Sequence, residues 1–71
     1  MSSVYRTTVI PHDPQRSYDT KVFEYLSQAV SFGLNSSDVG DWVEVEEVIQ
    51  DSLGDYQTLE QAVSFRRTKD L

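Results

Sequence analysis

Seventy-one residues with 12 acidic and six basic side chains, a net charge of −6 and no cysteine leave room for one modest core and exclude disulfides, thiolate metal sites and thiol catalysis. Apolar residues make up 38% of the chain, enough for such a core with little surplus stability; a single domain over 1–71 is expected, with self-association or a partner as a further source of burial. No apolar run approaches the roughly 20 residues that span a bilayer, and the first residues lack a positively charged start followed by an apolar stretch, so no membrane association and a cytoplasmic location are expected.

Val4 to Ile10 mixes β-branched and aromatic residues and ends at Pro11, which cannot donate to a sheet ladder, so the first element is a predicted strand. His12-Asp13-Pro14 follows as a turn; the competing reading makes Asp13 an N-cap and Pro14 the first residue of a helix. From Thr20 the period changes. Val22, Phe23, Leu26, Ala29 and Val30 recur at helical spacing while Lys21, Glu24, Ser27 and Gln28 fall to the other side, which predicts a helix from Thr20 to about Phe32. Gly33 suits the left-handed residue that closes a helix, with Leu34 folding back onto the last turn. Asn35-Ser36-Ser37-Asp38 reads as a polar loop; it fits the glycosylation sequon, which without a secretion signal is ordinary loop chemistry.

Two periods compete from Trp42 to Ile49. As a strand, Val43, Val45 and Ile49 share one face with Glu47, and Trp42, Glu44, Glu46 and Val48 share the other; as a helix, Trp42, Val45 and Ile49 align. The valine-rich alternation and the preceding glycine favour the strand. Asp51-Ser52-Leu53-Gly54-Asp55 reads as a turn. Thr58 and Gln61 then have the spacing of a capping box, which predicts a second helix with Tyr56, Leu59, Ala62 and Val63 on its apolar side and Arg66, Arg67 and Lys69 near its carboxyl end. The competing reading is a final strand in which Val63 and Phe65 alternate with Ala62, Ser64 and Arg66. The last few residues are expected to fray.

Gln28-Ala29-Val30-Ser31-Phe32 recurs as Gln61-Ala62-Val63-Ser64-Phe65. Solenoid repeats use a period of about 33, but the flanks align turn material with the strand around Val45, and two copies make no array. The echo is therefore read as two helical faces that use the same letters. The expected fold is α+β, a small single-layer β-α-β-α domain in which Phe23, Leu26 and Val30 cover the Val43 and Val45 face; the alternative is β-α-β-β, one helix packed on a three-stranded sheet.

No lysine or arginine lies between Lys21 and Arg66, and nine acids do: Glu24, Asp38, Asp41, Glu44, Glu46, Glu47, Asp51, Asp55 and Glu60. Such a stretch attracts basic surfaces and repels phosphate backbones, so no direct nucleic-acid binding is expected. Catalytic signals are weak. His12 is the lone histidine and sits among turn residues, no serine lies in a nucleophile elbow, the glycines are too scattered to cradle a phosphate, and Asp51 to Asp55 carries Leu53 where a calcium loop needs an oxygen ligand. No enzymatic activity, catalytic residue, metal or cofactor is expected.

Function is therefore expected at a surface. A non-enzymatic protein-binding module, a small regulator or inhibitor, would present Asp41, Trp42, Glu44, Glu46, Glu47, Asp51 and Asp55 to a basic protein, with nucleic-acid mimicry as the sharper form. Trp42 is either the exposed aromatic anchor of that surface or buried beneath the terminal helix, and burial is the preferred reading. The alternative function is a structural subunit that assembles through an apolar surface, as a homo-oligomer or within a larger complex.

Overall fold

The computed structural model describes residues 3–69 and contains β1 (Val4–Ile10), β2 (Asp19–Phe23), α1 (Leu26–Ser36), β3 (Trp42–Gln50) and β4 (Tyr56–Arg66). The strands form one antiparallel sheet in the order β2-β1-β3-β4. β2 and β3 both run against β1, so they are parallel to each other, and α1 crosses over the sheet to connect them. The fold is α+β with one helix, as in the alternative arrangement, but on four strands rather than three. Among the described residues no helix is long and apolar enough to cross a membrane, and the expected fraying falls on residues 70 and 71, outside the described ones.

β1 and β3 form as predicted, and their register builds the core. Thr7 faces Val45 and Val9 faces Val43, so four fully buried side chains make a block on the helix side of the sheet, closed by Ala29 and Gly33 of α1. Each of those valines contributes about 1.5–2 kcal/mol by leaving water. Thr7 fits this block because its hydroxyl donates to the Ala29 carbonyl at 2.8 Å.

The predicted start and end of the helix are both corrected. Asp19–Phe23 pairs with β1 over Tyr5 to Val9, so the helical spacing of Val22, Phe23 and Leu26 spans two elements. Phe23 remains on the helix side, its ring centre 5.3 Å from that of Phe32, with the Lys21 ammonium over both rings. α1 begins after Tyr25, whose N–H donates to the Gln28 side chain at 3.3 Å, and runs through Asn35 and Ser36, two residues read as loop. Gly33 is therefore not a cap. It lies inside the helix, where a Cβ would come 2.6 Å from Val43 Cγ1, so glycine is what permits α1 to approach the sheet this closely.

The predicted second helix is replaced by β4. A tight turn closes the β3–β4 hairpin: the Asp51 N–H donates to the Asp55 carbonyl at 2.8 Å, the Gly54 N–H to the Asp51 carbonyl at 3.1 Å, and Gly54 supplies the positive φ of 88°. Pairing skips one residue of β4 at Ala62 and another at Leu59, so two bulges interrupt the ladder. Thr58, the proposed capping hydroxyl, instead donates to Glu46 Oε2 at 2.6 Å across the hairpin. The pentapeptide echo thus holds one copy in a helix and the other in a strand, which removes the two-helix reading.

The hairpin outruns the helix. Ala29 sits at the level of Val45, through Thr7, and α1 extends three residues toward its start from there, about 5 Å. β3 continues five residues past Val45, about 16 Å. The last turns of the hairpin therefore project as an arm beyond the helix layer.

Candidate functional site

Strand alternation sorts the candidate acids onto different parts of the molecule. Asp41 immediately precedes β3 and is completely buried. Its Oδ1 accepts from the His12 backbone N–H at 3.1 Å, from His12 Nδ1 at 2.7 Å and from Arg16 at 3.3 Å; Oδ2 accepts from the Asp38 N–H at 2.9 Å and pairs with Arg16 at 3.1 Å. Burial pushes the carboxyl up, but the Asp38 N–H, the ring and backbone of His12 and the Arg16 guanidinium together outweigh it and hold the group well below the ordinary carboxylate range. Because ionised Asp41 can only accept, Nδ1 of His12 carries the proton. The Asp41 carbonyl also accepts from the Arg67 N–H at 2.7 Å. Asp41 thus ties the β1–β2 loop, the α1–β3 loop and the end of β4 together, and presents no carboxylate to solvent.

Trp42, Glu44 and Glu46 share the sheet face opposite α1, with Arg6, Thr58 and Arg66 beside them. Trp42 is half-buried, and among the described residues no terminal helix covers it. Its indole N–H donates to Glu44 at 3.1 Å, and the Arg66 guanidinium lies 5.9 Å from the ring centre. Arg6 pairs with Glu46 at 3.5 Å, and Thr58 bridges the two. Two acids and two arginines make this face electrically balanced.

Glu47, Asp51 and Asp55 lie along the projecting hairpin, and Glu60 joins them by pairing directly opposite Glu47. No ion pair among the described residues involves any of these four carboxylates. Glu47 accepts from the Ser3 hydroxyl at 2.7 Å. Asp51 accepts from Gln57 Nε2 at 3.1 Å and from the Asp55 and Leu53 N–H groups at 3.0 and 2.9 Å, which lower its carboxyl below the ordinary range although partial burial acts the other way. Leu53, Tyr56 and Leu59 are exposed on the same arm. The arm therefore combines unpaired negative charge with accessible apolar side chains on a turn stiffened by its own hydrogen bonds.

Sequence reading placed seven residues in one surface; the fold divides them into a buried anchor, a neutral sheet face and an acidic arm. It also left out Glu60 and Leu59, because a helix was read there, and it treated Asp41 as one acid among nine. A signal for the Asp41 cluster exists only in the register: pairing Ile10 with Trp42 brings the residues just after β1 against the residue just before β3. Among the described residues, no three His, Cys, Asp or Glu side chains are gathered to hold a metal ion. No protein-family model, curated protein or solved structure matches this chain.

Proposed function

We propose that this chain is a non-enzymatic protein-binding module whose β3–β4 arm engages a basic protein surface. The observation that carries this reading is the sorting of charge: Asp41, Glu44 and Glu46 have cationic or indole partners, while Glu47, Asp51, Asp55 and Glu60 have no cation among the described residues. Uncompensated charge on a projecting element steers encounter and selects positively charged targets, and the exposed Leu53 and Leu59 supply apolar contact once they meet.

Capture from native extract at low and high salt tests the reading, with the arm variant Glu47→Gln/Asp55→Asn/Glu60→Gln beside the face variant Glu44→Gln/Glu46→Gln. The arm variant loses the salt-sensitive partner and the face variant keeps it. Binding that ignores salt, or survives arm neutralisation, refutes the proposal. A structural subunit assembling through apolar surface is the second reading, favoured by exposed Leu53 and Leu59; it requires concentration-dependent sedimentation that persists in high salt.

A further inference from the structure

Strands lie about 4.8 Å apart and packed helices about 8–10 Å apart, so one face of a four-stranded sheet has room for two helices side by side. α1 packs on β1 and reaches β2 and β3 on either side. β4 lies two strand spacings from β1, about 10 Å, which is where the axis of a second helix would fall. That position holds an open apolar groove of about 270 Å³, lined by Val30 and Leu34 of α1 and Val63 and Phe65 of β4. We infer that the groove seats a basic amphipathic helix of a partner protein, lying beside α1 and completing the helix layer.

Charge chooses the occupant. The bulge at Ala62 turns Glu60 to the same sheet face as Val63 and Phe65, directly opposite Glu47, so two like charges on adjacent strands flank the groove, and neither is paired with a cation among the described residues. A helix with leucine-type side chains on one face and lysine or arginine along its border fills the groove and neutralises this pair. A second copy of the chain fits poorly. It brings its own net charge of −6, and its helix, Leu26–Ser36, has no charged residue to offer. The inference rests on the acidic binding reading and gives it a site and a partner shape.

The test is a titration of the ¹⁵N-labelled protein with a Leu/Lys peptide of about 14 residues, four helical turns, patterned to be amphipathic as a helix, against a scrambled peptide of the same composition. The patterned peptide shifts the amide signals of Val30, Leu34, Val63 and Phe65. Val63→Asp weakens it by at least about tenfold, and Glu47→Gln/Glu60→Gln by about threefold at low salt with little effect at high salt. Should Val63→Asp unfold, the wild-type shift map and the milder Leu34→Asn decide. Equal, salt-sensitive binding of both peptides without groove shifts overturns the groove and leaves the acidic reading standing. Shifts confined to the Trp42 face overturn the groove as well. Groove shifts that appear on concentrating the protein alone, with a sedimenting dimer, assign the site to a second copy and overturn the inference. Binding of neither peptide removes both readings.

Discussion

Replacing Asp41 by alanine takes the charged acceptor from two part-buried backbone donors at once, the N–H groups of His12 and Asp38, and removes the anion that Arg16 and the His12 ring share. Each deprived backbone donor costs about 1–1.5 kcal/mol. The guanidinium and imidazole are partly open to solvent and rehydrate, so their lost pairing adds under about 1 kcal/mol. The expected loss is about 3 kcal/mol, out of a total near 4–10 kcal/mol for a domain of this length. Urea denaturation followed by Trp42 fluorescence reads it as a midpoint lowered by up to about 3 M for a slope near 1 kcal/mol/M. Asp41→Asn keeps size and one acceptor and isolates the charge. In the wild type the folded carboxyl lies far below its unfolded value, so its stabilisation is complete above about pH 5, declines once pH passes the unfolded value near 3.9, and continues to fall toward the depressed folded value. Asp41→Asn lacks that acid-dependent component. A loss under about 1 kcal/mol in Asp41→Ala, or an unchanged acid limb in Asp41→Asn, would refute the assignment of Asp41 as the anchor of three chain segments.

Gly33→Ala tests the close approach of α1: the helical preference for alanine gains up to about 1 kcal/mol, but the contact at 2.6 Å with buried Val43 forces the helix outward at about 1–3 kcal/mol, so the melting temperature drops. A rise would show that the helix lifts freely. Thr7→Val leaves the Ala29 carbonyl without the hydroxyl donor and costs about 1 kcal/mol by the same denaturation assay, whereas an unchanged midpoint removes that bond from the account of helix docking. Glu46→Gln, whose pair with Arg6 is solvent-accessible, shifts stability by less than about 0.5 kcal/mol; a larger loss would mean that the neutral sheet face is a structural network.

β1 was legible from its run of β-branched and aromatic residues up to Pro11, and β3 from the valine alternation over Val43 to Glu46 after a glycine-containing turn. β4 was not, because its signals conflict. Thr58 and Gln61 have capping-box spacing, and Leu59, Ala62 and Val63 have helical spacing, yet the bulges at Leu59 and Ala62 break the strand alternation that would have revealed it. Tertiary pairing decided: the short Asp51–Asp55 turn delivers the chain beside β3, where every residue from Trp42 to Gln50 finds a partner. The twin pentapeptides show the same point, since identical letters are helical over a sheet face and extended beside a strand. The acidic character of the candidate site was legible, but its division was not. Which carboxylates stay unpaired depends on where Arg6, Arg16 and Arg66 land, and in sequence Arg6 lies 40 positions from Glu46, Arg16 25 from Asp41 and Arg66 24 from Trp42.

β4 is also the outermost strand on its side of the sheet and 11 residues long, the kind of edge on which foreign strands stack into fibrils. Leu59 and Ala62 spoil that template, since each extra residue twists the strand and puts its outward N–H and C=O groups out of step with any incoming chain. Removing both would leave nine residues in unbroken register with β3, and a contained margin would become a seed for cross-β growth.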